Sequence, residues 1–155
     1  EVVYYDAYRM NEEKETENGM KYLPLEDLIK VSDVISLHVP LLESTRHIIG
    51  KEQIDNMKQG VILINTARGG LIDDQALVEA LASGKVAAAG LDCVENENLE
   101  ENPLARMSNV ILTPHMGGTS NDLADEMIPK IAEQVKLLAE TGKVQNIVNQ
   151  KYLDM

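Results

Sequence analysis

An α/β fold with a parallel sheet is the class this sequence predicts, and three observations predict it. Apolar runs of strand length recur at residues 34–39, 61–65, 86–92 and 109–113. Segments with apolar residues at helical spacing lie between them. Glycines stand where such helices stop, at Gly60, Gly84 and Gly142. Strands alternating with helices of this length imply βα units.

Taken in order, residues 1–6 form a β-rich strand ending in Asp6. Residues 9–18 are polar, without an apolar period, and predict no regular element. Residues 20–23 are a short strand, and Pro24 starts a helix with Leu25, Leu28 and Ile29 on one face. The strand at 34–39 stops at Pro40. A helix over 51–58 turns Ile54 and Met57 inward, with Gly60 as its cap. After the strand at 61–65, Asp73 caps a helix through Ser83, with Leu77, Ala80 and Leu81 inward and Gly84 closing it. The strand at 86–92 leads through an acidic loop, 95–101, to the strand at 109–113. From about Ser120 a helix carries a stripe of Leu123, Met127, Ile131, Val135 and Leu138 that reads as core. Pro129 inside it predicts a bend near Ile128.

Composition narrows the function. The 155 residues are 44% hydrophobic and contain no Phe or Trp, five Tyr and seven Met, so the core is aliphatic. A net charge of −12 argues against nucleic acid and anionic membrane as partners. There is no run long enough to span a bilayer and no signal-peptide pattern, which points to the cytoplasm. The single Cys93 reads as a small buried residue, because Asp92, Glu95 and Glu97 oppose a thiolate. The acidic loop offers no spacing that holds a metal. His38 fits a packed core position as well as a site, and His47 reads as solvated.

Three successive βα units place a polar residue just past the strand: Arg68 in the run Ile64-Asn65-Thr66-Ala67-Arg68-Gly69-Gly70, the acids after Asp92, and His115 in Thr113-Pro114-His115-Met116-Gly117-Gly118. In a parallel sheet the carboxyl ends of the strands share one edge, where open α/β sheets bind ligands. Arginine, carboxylate and histidine there suit proton transfer.

Residues 33–41, 64–73, 90–97 and 110–118 together resemble the D-isomer-specific 2-hydroxyacid dehydrogenases, almost end to end. The resemblance implies a partial Rossmann-like, doubly wound parallel sheet with flanking helices. Residues 1–118 would be the remaining part of an NAD-binding domain. Residues 119–155 would be the helix and tail that in the family return to the substrate domain. It implies hydride transfer between NAD(H) and a D-2-hydroxy acid or 2-keto acid. Arg68 then holds the substrate carboxylate and carbonyl, His115 is the general acid/base, and Glu97 hydrogen-bonds His115. Glu97 is chosen over Glu95 because it lies five residues past Asp92; Asn98 stands where the family has proline.

For the cofactor, Asp6 matches the acid that binds the adenosine ribose and favours NAD over NADP, with Arg9 as a nearby cation. His38, Val39, Pro40 and Thr45 match the adenine and phosphate side. Thr66 and Ala67 match the nicotinamide side, which Arg68 and His115 border, and Asp92 the carboxamide contact. Gly117 and Gly118 would let the backbone approach the ring.

None of the ten glycines forms a G-x-G-x-x-G run, the turn that holds a pyrophosphate. The expectation is therefore the carboxyl part of a longer dehydrogenase, with weak or no NAD binding alone. The strands at 1–6 and 34–39 should each lack a neighbour. Expected partners are a small 2-hydroxy or 2-keto acid and either a second copy, through the nucleotide-binding domain, or a complementing N-terminal segment. The alternatives are an NADH-responsive binding protein like the C-terminal binding protein corepressors, and an inactive remnant subunit.

Overall fold

A computed structural model describes residues 1–98 and 100–143. Within them the chain forms two compact units, residues 1–117 and a second beginning at Gly118. The first holds β1 (Val2–Tyr4), α1 (Glu12–Glu17), β2 (Met20–Tyr22), α2 (Leu25–Val31), β3 (Val34–Leu37), α3 (Lys51–Asn56), β4 (Val61–Asn65), α4 (Asp74–Ser83), β5 (Val86–Leu91) and β6 (Val110–Leu112). Every strand pairing is parallel, so the alternation of strands and helices produced the sheet type expected of it.

The strands form two sheets. One has the order β1-β2 and the other β3-β4-β5-β6. Among the described residues, β1 pairs only with β2, and β3 only with β4. In the order 3-2-1-4-5-6 a central strand lies between strands 2 and 4, and the described residues place no strand between β1 and β3.

The core lies on one face of the larger sheet. Ile35 and Leu37 of β3, Val61 and Leu63 of β4, and Val86, Ala89 and Leu91 of β5 meet Leu28, Ile29, Ile54, Leu77, Ala80 and Leu81 of the helices. α4 shows why the sequence stops and starts where it does. Asp73 accepts from the Gln75 and Ala76 amides at its start, and Gly84 sits at φ +74° at its end. The opposite sheet face keeps Val34, Ile62 and Ile111 exposed, Ile111 to 74%.

Two elements differ from expectation in this unit. Residues 12–17 are helical although they carry no apolar stripe. Asn11 caps them by accepting from the Lys14 amide, three glutamates occupy the first turn, and Glu15 anchors the helix from its buried side. That anchor reaches outside the helix. Arg9 donates Nε and Nη2 to Glu15 Oε1 and Oε2 at 2.7 and 2.9 Å, and the Tyr4 hydroxyl donates to Oε1 at 2.8 Å. Gly60 is not the cap of α3, whose C-cap is Met57; it serves the following turn at φ +79°, its amide donating to the Lys85 carbonyl.

The second unit contains α5 (Asn121–Thr141), capped by Ser120 and closed by Gly142 at φ +68°. The helix runs through Pro129. Its stripe of Leu123, Met127, Ile131, Val135 and Leu138 is 44% to 61% exposed, contrary to the core reading. Helical periodicity marks a face suited to burial, and here the described residues do not bury it.

The Arg9 hydrogen bonds, and then that of Tyr4, hold the Glu15 carboxyl at about 2, down from 4.5. A carboxylate depressed in the folded state stabilises the fold above its unfolded pKa, and that contribution is lost as pH falls through the folded one. Stability should therefore decline between pH 4.5 and about 2. Urea midpoints at pH 6 and pH 3 should lie closer together in Glu15→Gln than in the parent chain; equal gaps would disprove the linkage.

Candidate active site

The carboxyl ends of β3 to β6 share an edge, and the turns beyond them carry the candidate residues. Asn65, buried at the end of β4, shapes the first turn. Its Oδ1 accepts the Ala67 amide at 3.1 Å and its Nδ2 donates to the Arg68 carbonyl at 2.8 Å. This loop sends the Arg68 side chain outward, where Nη1 donates to the Ala67 carbonyl at 2.6 Å. Gly69 must be glycine, because an added Cβ would lie 2.2 Å from the Val94 carbonyl oxygen. The arginine-bearing turn is thus pressed against the loop that carries Glu95 and Glu97.

The two acids part company. Glu95 Oε1 meets Arg46 Nη2 at 3.0 Å and His47 Nε2 at 2.9 Å. His47 is therefore engaged rather than merely solvated, and it sits at φ +50°. Glu97 Oε1 lies 2.8 Å from His115 Nδ1. Asn102, buried, steadies the loop by donating to the Asn96 carbonyl at 2.8 Å and accepting the Leu104 amide.

The backbone of His115 adopts an unusual conformation, φ +51°, and the contacts of the next two residues hold it there. Asp92, buried at the end of β5, accepts the Met116 amide at Oδ1 (2.9 Å), the Gly117 amide at Oδ2 (2.7 Å) and the Thr113 hydroxyl. The Thr113 hydroxyl and then the two amides lower the Asp92 pKa. Left-handed backbone at a non-glycine residue costs about 1–3 kcal/mol and persists where surrounding contacts over-determine it. A cleft lined by Asp92, Val94, Glu97, Thr113, Pro114 and His115 opens beside the pair. Cys93 is buried, and burial and then Asp92 raise its thiol pKa.

The other candidates are distributed along the edges. Val39 packs partly against the core, while His38 is exposed, 2.8 Å from Ser36 Oγ. Thr45 Oγ1 donates to the Pro40 carbonyl at 2.7 Å, tying that loop to itself. Thr66 is exposed and Ala67 half-buried beside Arg68. Asp6 stands past β1, on the other sheet; its Oδ1 accepts the Tyr8 amide at 2.8 Å, and Oδ2 has no hydrogen bond among the described residues. Gly117 lies at Asp92, whereas Gly118 falls in the second unit. An acceptor free at Asp6 and an exposed Thr66 suit the ribose and nicotinamide ends of a dinucleotide. The chain has no glycine turn to suit its pyrophosphate.

The D-isomer specific 2-hydroxyacid dehydrogenase NAD binding domain matches residues 1–117. The chain belongs to that family. A glyoxylate reductase of Korarchaeum cryptofilum is 42% identical over 151 residues, 97% of this chain and 45% of the relative. A D-3-phosphoglycerate dehydrogenase of Methanocaldococcus jannaschii is 43% identical over 148 residues, 96% of this chain and 28% of the relative. The solved D-lactate dehydrogenase of Aquifex aeolicus, complexed with NAD and lactic acid, superposes with a TM-score of 0.80 at 36% identity, covering 90% of this chain and 46% of that one. The chain thus spans less than half the length of these relatives.

Sequence reading missed Asn65, Asn102 and Thr113, whose side chains shape the turns through hydrogen bonds to the protein itself. A buried-strand Asn three residues before an arginine is the signal that marks the first, since Asn bonds the backbone two residues on.

Asn65→Ala should lower stability by roughly 1–3 kcal/mol, because it removes two hydrogen bonds from a buried side chain and leaves a part-buried amide and carbonyl without that partner. Gly69→Ala should be worse than Gly90→Ala, whose Cβ meets nothing within 4 Å. Thermal melts of the three variants check the order; equal melting of the two glycine variants would contradict the close approach.

Proposed function

We propose that this chain forms the NAD-binding and proton-transfer half of a dehydrogenase that interconverts a 2-keto acid and a D-2-hydroxy acid. The observation that carries the reading is the Glu97–His115 contact in a cleft at the strand ends. The names of the relatives, glyoxylate reductase and D-3-phosphoglycerate dehydrogenase, support the substrate class.

Glu97 occupies His115 Nδ1, so Nε2 is the nitrogen left to exchange a proton with substrate. In reduction it gives that proton to the carbonyl oxygen; in oxidation it takes one from the hydroxyl. Arg68 binds the substrate carboxylate and polarises the carbonyl, a task suited to a planar, permanently charged fork. NADH, when bound, would supply the hydride that the carbonyl carbon accepts. Asp6 would hold the adenosine ribose, His38, Val39, Pro40 and Thr45 the adenine and phosphate side, and Thr66 and Ala67 the nicotinamide. Asp92 would reach the carboxamide, with Gly117 and Gly118 admitting the ring.

The open edges of β1 and β3 support a further requirement, a strand that joins the two sheets and brings a phosphate-binding turn. An N-terminal segment fits that need, and a homodimer through this domain fits the exposed apolar sheet face. We place the assembly in the cytoplasm. By itself the 155-residue chain should bind NADH weakly, with no turnover.

Titrating NADH against the chain and following nucleotide fluorescence tests the last point; micromolar affinity would refute it. In the chain complemented to activity, His115→Asn keeps a residue that tolerates φ near +50° and should lower kcat by about 10²–10⁴. Arg68→Ala should act mainly on kcat/KM, and unchanged kinetics in both would remove the mechanism.

A further inference from the structure

The one basic side chain in the turn after β1 is Arg9, and its Nε–Nη2 edge is engaged. Asp6 fixes the turn by accepting the Tyr8 amide at 2.8 Å, and the Tyr4 hydroxyl fixes its far side by accepting the Met10 amide at 2.9 Å. Between those anchors the Arg9 side chain turns back over the sheet. Its Nε and Nη2 grip both oxygens of Glu15 at 2.7 and 2.9 Å, and its guanidinium carbon lies 5.1 Å from the centre of the Tyr22 ring. Tyr4 packs edge-on against the same ring, centroids 5.5 Å apart. The bidentate fork that would suit a phosphate is therefore spent on a carboxylate.

From this geometry we infer that Glu15 is a specificity-determining residue: by holding Arg9 on Tyr22 it denies a 2′-phosphate its cation beside Asp6, and so excludes the phosphorylated dinucleotide. The inference rests on the ribose reading of Asp6. Two elements act in concert. Asp6 repels a 2′-phosphate directly, and Glu15 removes the arginine that would offset this repulsion. The depressed Glu15 carboxyl agrees, since the pair stays charged across the neutral range. Lys14 and Lys21 are also nearby in sequence and exposed, so the test must assign any new phosphate affinity to Arg9.

The test uses the 155-residue chain and two probes, 5′-AMP and adenosine 2′,5′-bisphosphate, with amide chemical-shift titrations that read millimolar binding. The parent chain should prefer 5′-AMP. Glu15→Ala should shift the affinity ratio toward the bisphosphate about tenfold, the scale of one released charge-assisted contact, and Glu15→Gln should shift it less in the same direction. Adding Arg9→Ala to either should return the ratio to the parent value. A merely structural Glu15 would weaken both probes alike and leave the ratio fixed. An unchanged ratio in the better-folded Glu15 variant, judged by amide dispersion, overturns the inference. So does a shifted ratio that survives Arg9→Ala. Asp6→Ala separates the underlying reading: if it leaves 5′-AMP binding untouched, or if the parent binds neither probe, the ribose assignment fails and the inference with it. If Asp6→Ala weakens 5′-AMP while the Glu15 variants keep the parent ratio, only the role of Glu15 is lost.

Discussion

Asp92 is the residue on which the candidate site depends. It ends β5, it is buried, and it accepts three hydrogen bonds, all from the turn after β6. A buried carboxylate without partners would be strongly disfavoured, and this one is retained because two backbone amides and a hydroxyl replace its water. Reciprocally, those amides belong to Met116 and Gly117, immediately after a histidine whose backbone is left-handed. The anchor therefore joins the ends of two neighbouring strands and keeps His115 in a conformation that a free loop would abandon. Gly117 is part of the same contact, because a Cβ there would stand 2.9 Å from Asp92 Oδ2.

A second constraint acts at the scale of the sheet. β1 and β3 each present an edge of unpaired amides and carbonyls among the described residues, and such edges favour pairing with another strand. The larger sheet is complete from β3 to β6, which explains why the turns bearing Arg68, Glu97 and His115 are well tied while Asp6 stands on a two-stranded ribbon. That ribbon is held by different means. Tyr4, Arg9, Glu15 and Tyr22 link its strands to α1 and substitute a polar and aromatic cluster for a deep aliphatic core.

The sequence made the larger sheet legible because each of its strands is an apolar run bounded by turn residues, and because α4 carries both a capping aspartate and a terminal glycine. α1 was not legible, since its stabilising contacts reach from Glu15 to Tyr4 and Arg9 rather than along an apolar stripe. The stripe of α5 was legible as periodicity, but periodicity does not say what covers it. His47 was misread because its partner Glu95 lies 48 residues away. The positions of Arg68 and His115 past strand ends could be read from the order of elements; the hydrogen bonds that shape their turns could not, because Asn65 and Asp92 look like ordinary strand-end polar residues in one dimension.

The candidate site is unevenly pre-organised. His115 has its ring nitrogen engaged by Glu97 and its backbone pinned through Asp92, so the group proposed to transfer the proton is set before any substrate arrives. Arg68 is different: Asn65 fixes its backbone, but its guanidinium makes one hydrogen bond, to the neighbouring Ala67 carbonyl, and leaves four of its five N–H donors to offer. In the proposed reaction this division is sensible. Proton transfer needs a nitrogen at a defined distance, whereas a charged fork reserved for a carboxylate gains its orientation from the ligand that fills it. Arg9 shows the opposite arrangement within the same chain, a guanidinium whose Nε–Nη2 edge is already committed to both oxygens of Glu15. The two arginines thus differ in availability rather than in chemistry, and it is availability that separates an arginine poised to bind an anion from one kept from binding it.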